Sequence, residues 1–264
     1  MEYTLVPPGG SAPRSHPGRK WCLFIGLGLL IFFGGFLAQS LSSHADQAGV
    51  KIVRLEGKID AGDRSDGSVA GSEVIGREIR DAADDPMVEA IVLRVNSPGG
   101  TPSGAQEIIR DLDYAKTKKP VVVSMGDMAT SAAYYVSSHA DAIYANPDTF
   151  TAGIGVIWEF SDISRWNENE GYNVTIVKSG VWKDMGNPSR HLSPDEQAYA
   201  QSIVDASFNG FISDVTSHRT IARSDIDNGR VVRGADAIRL NIIDKLGNLN
   251  DAIDGAKQLA RNRA

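Results

Sequence analysis

Cysteine is almost missing from this chain. Cys22 is the only one in 264 residues, so no intramolecular disulfide and no thiolate metal cluster can form. Histidine is sparse too. His16, His44, His139, His191 and His218 are scattered, no His-rich ligand tract is visible, and nothing calls for a metal or a cofactor. Positive charge is in deficit: residues 46–264 hold 24 basic and 32 acidic side chains, a net charge of −8. An acidic segment without a basic stripe argues against nucleic acid as a partner. Charge of either sign is absent from residues 21–45.

That uncharged stretch begins with Trp21–Ala38, eighteen residues rich in Leu, Ile, Phe and Gly. As a helix it rises about 27 Å, close to the ~30 Å hydrocarbon core of a bilayer. Arg14, Arg19 and Lys20 stand before it and Asp46 is the first charge after it, which places the N-terminus in the cytoplasm and the remainder outside. The expectation is a single-pass membrane protein with a signal anchor over residues 21–41. Residues 1–20, with four prolines and three glycines, read as a disordered cytoplasmic tail. A cleaved signal peptide is the competing reading, but Leu37-Ala38-Gln39-Ser40 is a poor small-x-small site and the apolar run is long. Residues 46–264 are enough for one extracytoplasmic α/β domain.

Within that domain, apolar runs alternate with helical spacing. Strands are expected at 51–55, 90–95, 121–125, 142–144, 155–159 and 173–177. Helices are expected at 73–83, 103–116, 131–138, 162–169, 194–218, 235–240 and 251–262. Such alternation implies parallel strands joined by helical crossovers. Ser193-Pro194-Asp195-Glu196 is a capping box with Pro at the first helical position. The helix that follows carries Ile203, Val204, Phe208, Phe211, Ile212 and Val215 on one face, to be buried in the core or against another subunit.

Two strand-to-helix junctions carry chemistry. Gly126-Asp-Met-Ala-Thr-Ser-Ala-Ala-Tyr-Tyr135 follows the strand Val121–Met125 and puts Ser131 at a helix start. Free backbone N–H groups and the positive end of the helix dipole favour a developing anion there. A serine at such a junction is a nucleophile or simply a helix cap. One unit earlier, Asn96-Ser97-Pro98-Gly99-Gly100 follows the strand Ala90–Val95. Its paired glycines make either an ordinary tight turn or a backbone that comes close to a ligand and offers oxyanion donors.

A nucleophilic serine needs a base, and the histidines are poorly placed for it. His139 sits at the far end of the helix that Ser131 begins, and His191 and His218 flank a long helix where they read as solvated. Lysine fits better. Lys178 and Lys183 lie among Gly, Trp and Met in 178–190 rather than in a run of charge. A desolvated lysine loses pKa and acts as a neutral base. The competing reading is a surface loop with solvated lysines.

Taken together, Asn-Ser-Pro-Gly-Gly, Gly-Asp-Met-Ala-x-Ser-x-x-Tyr-Tyr, Ile-Tyr-Ala-Asn-Pro at 143–147, Gly-Ile-Gly-Val at 153–156 and Lys-Asp-Met-Gly-Asn-Pro-Ser-Arg at 183–190 occur in one order and spacing. They resemble the signal peptide peptidase A family, peptidase family S49, from about Val50 to about Ile253. The resemblance implies a crotonase- and Clp-protease-like ββα spiral and a serine endopeptidase with a Ser–Lys dyad. It assigns Ser131 as nucleophile and Lys183 as general base, with the backbone N–H groups of Gly99, Gly100 and Ala132 as the oxyanion hole. Remnant signal peptides or other apolar peptides are the implied substrates, and a homo-oligomer, with dyad residues shared between neighbours, is the implied assembly. Lys178 matches no catalytic position.

Two positions depart from the family pattern. Ala132 and Ala133 replace Gly-Gly, which suits a helix unless the backbone there requires positive φ. Gly153 replaces a serine expected to hydrogen-bond the lysine, a role that Thr151, another side chain or water would then have to fill. That loss makes a catalytically weak or inactive scaffold of the same fold the alternative function. A thioester-processing enzyme of the same fold is disfavoured by the outward-facing anchor.

Overall fold

The computed structural model describes residues 49–263. The anchor expected over 21–41 and the tail before it lie outside the described residues. Among the described residues, no helix is long and apolar enough to cross a membrane.

The centre of the sheet is β4 (Ala90–Ser97), whose residues Ala90–Leu93 and Val95 are fully buried. A strand this apolar is covered on both faces. Ile91, Leu93 and Val95 face a large core shared with α1 (Ser72–Asp84) and α2 (Pro102–Lys116). Ala90 and Val92 face a smaller cluster under α8 (Leu249–Arg263) with Val122, Tyr144, Ala252, Ile253 and Ala256. The period of two along β4 divides the two layers.

The main path of the sheet runs β1 (Val50–Glu56), β4, β5 (Val121–Thr130), β6 (Ala142–Ala145) and β9 (Lys245–Leu246), all parallel. β2 (Lys58–Asp60) and β3 (Val69–Gly71) form a separate parallel pair. β7 (Phe150–Ala152) pairs with the far end of β5, and β8 (Val231–Arg233) runs antiparallel to β7. The other helices are α3 (Ala132–Ser138), α4 (Ser164–Asn169), α5 (Pro194–His218), α6 (Arg223–Ile226) and α7 (Gly234–Ala237), with a 3₁₀ turn at Ile238–Leu240. The chain is therefore α/β with a mostly parallel sheet, as expected.

Several expected elements change. β5 continues five residues past Met125 to reach Thr130, exchanging β6 for β7 as its neighbour on the way. The register against β4 shifts between Val95 and Ser97. Asn96 bridges that shift, its Oδ1 accepting from the N–H groups of Asp127 and Met128 at 3.1 and 3.2 Å. The strands expected at 155–159 and 173–177 pair with no strand among the described residues. Val156 packs against the core and Trp158 against Phe160, but Ile157 and Val177 are about nine-tenths exposed. In α5 the capping box forms as read. Its apolar face divides: Phe211, Ile212 and Val215 are buried, whereas Ile203 is exposed.

Candidate active site

Ser131 follows the last residue of β5 and occupies the N-cap position of α3, yet its side chain makes no capping bond. The helix-cap reading of this serine is thereby excluded. Its backbone has φ 54° and ψ −125°, a region that L-residues rarely enter and that costs on the order of 1–3 kcal/mol. The surroundings hold it there. Its N–H donates to the Ala152 carbonyl at 2.7 Å, and its carbonyl accepts from Tyr135 N–H at 2.9 Å. Strain of this kind turns the side chain out of the strand-to-helix corner, as in a nucleophile elbow.

The Asn-Ser-Pro-Gly-Gly turn packs directly against this corner. Gly99 has φ 100°, and a Cβ there would stand 2.8 Å from Ser131 Cβ and 2.9 Å from Ala132 N. Gly100 lies so close to β2 that a Cβ would overlap the Ile59 carbonyl oxygen. The two turns are tied together by Thr130, whose Oγ1 donates to the Pro98 carbonyl at 3.0 Å. Ser97 Oγ accepts from Gly99 N–H at 3.1 Å, so that N–H is already engaged. Asn96, Ser97 and Thr130 thus brace the corner, as does Thr151, whose buried hydroxyl donates to the Ala129 carbonyl at 2.9 Å. Sequence reasoning gave none of these roles, although Asn96 and Ser97 belong to the turn motif and Thr130 immediately precedes the serine.

Ser131, Gly100 and Ala132 open onto one cavity of about 430 Å³. Tyr135 and Phe211 contribute aromatic walls, and Gly155–Ile157 form a further wall. Asp214 closes one side, bonded by the Tyr135 hydroxyl at 2.6 Å. Burial, and then the neighbouring Asp214 carboxylate, push the Tyr135 phenol above its ordinary range. Ala132 and Ala133 are helical and buried, and neither has positive φ, so the change from Gly-Gly leaves the backbone intact.

Lys183 is on an exposed turn, and no residue of 178–190 lines the Ser131 cavity. Within one chain the structure does not bring the two expected dyad residues together at that cavity. The segment carrying Lys183 is firmly held all the same. Asp184 pairs with Lys178 at 2.6 Å and with Arg190 at 2.7 Å, and Arg190 reaches Glu196 at 2.6 Å. Arg190 and then Lys178 hold the Asp184 carboxyl well below the usual carboxylate range. Arg190, followed by the Ser193 N–H, lowers Glu196 to about 2. Lys178 is thus occupied as an ion-pair partner.

Of the two histidines expected to be solvated, one is and one is not. His191 is exposed beside Asp162, away from the cavity. His218 is not simply solvated, because its ring packs against the buried His139 with centroids 3.8 Å apart.

Residues 113–263 match the family model described as Peptidase family S49. The chain is 35% identical over 245 residues to Protease 4 of Haemophilus influenzae, covering 89% of this chain and 39% of that protein. It is 28% identical over 239 residues to the putative signal peptide peptidase SppA of Enterococcus faecium, covering 86% of this chain and 69% of that one. Among solved structures, the 1510-N membrane-bound stomatin-specific protease S97A mutant aligns with a TM-score of 0.50 at 15% identity, covering 76% of this chain and 81% of that one. That last likeness concerns the fold alone. This chain belongs to peptidase family S49.

Proposed function

We propose that the chain is a serine endopeptidase that cleaves apolar peptides through an acyl-enzyme. The observation that carries this reading is Ser131 itself, held at positive φ without a capping bond, on the same cavity as Gly100 and Ala132. A neutral Lys183 amine takes the hydroxyl proton as Ser131 Oγ attacks the scissile carbonyl. The resulting oxyanion is held by the N–H groups of Gly100 and Ala132. Gly99, its own N–H engaged by Ser97, shapes the turn. Collapse of the tetrahedral intermediate transfers the lysine's proton to the leaving amine, and water then releases the acyl group by the same steps.

Lys183 reaches Ser131 from a neighbouring copy of the chain. Its exposed position outside the cavity supports this, as does the apolar surface around it, where Val181 is 71% exposed and Trp182 47%. The peptide lies extended along 155–159, a segment with no strand neighbour of its own, and so adds a strand. Tyr135, Val156 and Phe211 make the wall apolar, which suits small or aliphatic residues before the cut. Remnant signal peptides fit this class. With the anchor at 21–41, the domain works at the outer face of the membrane, on the ββα spiral that the family resemblance implies.

A fluorophosphonate probe tests the reading on the full chain. Labelling of Ser131, with loss of peptide hydrolysis in Ser131→Ala, is the expected result. An assembled protein that neither labels nor hydrolyses any member of a diverse peptide library would be a scaffold. A strict need for a charged residue before the cut would overturn the substrate class.

A further inference from the structure

Behind the cavity, three elements bring together side chains that peptide hydrolysis does not use. His139 caps the C-terminus of α3, Asp214 and His218 lie one turn apart on α5, and Asp113 comes from α2. The His139 side chain is only 3% exposed. Its Nδ1 is 3.1 Å from Asp113 Oδ1, whereas its Nε2 is buried without a hydrogen-bond partner among the described residues. A buried ring nitrogen left in that state costs free energy unless something occupies it.

We propose that His139, Asp214 and His218 bind a divalent transition metal of the zinc class. One donor atom from each residue lies within 4.8 Å of the others. Ligands held about 2.1 Å from a tetrahedral zinc stand about 3.4 Å apart, and His139 Nε2 is 3.4 Å from Asp214 Oδ2. Two imidazoles and one carboxylate, with a fourth position for water, is a donor set that zinc accepts.

Each ligand also has the outer partner such sites require. Asp113 accepts from His139 Nδ1–H, which leaves the Nε2 lone pair for the metal. The Tyr135 hydroxyl orients the Asp214 carboxylate. The Asp214 carbonyl, which can only accept, is 3.0 Å from His218 Nδ1, so Nε2 carries that ring's lone pair. An ion-pair explanation fits less well. Two charged imidazoles would repel each other at 3.8 Å. Since Ser131 immediately precedes α3 and Asp214 lines the cavity, the metal ties the nucleophile's helix to the wall opposite.

The test is spectroscopic and needs no turnover, so it stands apart from the peptidase reading. The full chain, stripped with chelator, is titrated with cobalt(II) and then zinc. One equivalent of cobalt should give the visible d–d absorption of a tetrahedral site, and one zinc per chain should displace it. His218→Ala, at a partly exposed position, should keep the fold by circular dichroism while affinity falls at least 100-fold. Asp113→Asn, which changes only an outer partner, should lose about 10-fold, and His191→Ala should bind as the parent does. The proposal is overturned if the parent shows no saturable band near one equivalent, or if folded His218→Ala binds equally well.

Discussion

Gly99 stands against Ser131 so closely that a single added methyl would lie 2.8 Å from the serine's Cβ. The glycine of one βα turn therefore sets the position of the serine in the next. Gly99→Ala meets both this contact and a φ of 100°. It is expected to lower kcat/KM by about 100-fold or more through displacement of the reacting hydroxyl. Peptide-ester hydrolysis measures it, and unchanged turnover would separate the turn from the placement of the nucleophile.

The backbone of Ser131 separates two inactivating substitutions. Both Ser131→Ala and Ser131→Gly remove the hydroxyl, but only glycine accepts φ 54° and ψ −125° at little cost. Ser131→Gly should be the more stable by about 1 kcal/mol, after its larger unfolded-state entropy is subtracted. Urea denaturation of the two inactive proteins decides this; equal midpoints would mean the corner is unstrained.

Exchange of subunits tests where the base comes from. Lys183→Arg should be inactive, because a guanidinium keeps its proton. Ser131→Ala and Lys183→Ala proteins, each inactive, should recover part of the parental activity once their subunits exchange, because some contacts then join an intact serine to an intact lysine. Exchange without recovery would put both residues of the dyad in one chain.

At Gly153 the outcome depends on space and on φ. A Cβ there would meet Thr130 and Val231 at an ordinary 3.4 Å, and Ser131 N at 3.5 Å, but φ is +62°. Gly153→Ser should therefore cost about 1–2 kcal/mol of stability. It should raise kcat by supplying a hydroxyl beside the nucleophile to orient the lysine. A fall in kcat would show that this position no longer serves the amine.

Acid should release the segment that carries Lys183. Glu196 is lowered from 4.5 to about 2, and Asp184 is lowered as well. A carboxyl with a depressed folded pKa stabilises above its unfolded pKa and loses that contribution as pH falls through the folded one. Protection from hydrogen exchange over 178–196, relative to the intrinsic rate at each pH, should be high at pH 6 and fall between pH 4.5 and 2, before the sheet opens. Arg190→Gln should show the low protection already at pH 6.

The long elements were legible in the sequence because their periodicity is strong. The helices at 72–84, 102–116 and 194–218 lie within a residue or two of expectation. Strands of two or three residues, such as Phe150–Ala152 and Val231–Arg233, are too short to show a period, and tertiary pairing creates them. The segments at 155–159 and 173–177 have strand-like sequences without a strand partner among the described residues. The Ser131 and Gly99–Gly100 corners could be read because each sits where an apolar run stops. The His139–Asp214–His218 cluster could not, since its members are 75 residues apart and meet only when α3 packs on α5.

The ion chain Lys178–Asp184–Arg190–Glu196 has a kinetic consequence. A segment already fixed in the lone chain has little conformational freedom left to surrender on contact. In the proposed shared site, the turn bearing Lys183 would then dock as a rigid body, its capture governed by how often surfaces meet rather than by waiting for a loop to fold. Breaking the ion chain at Arg190 would slow that proposed docking while leaving the sheet untouched.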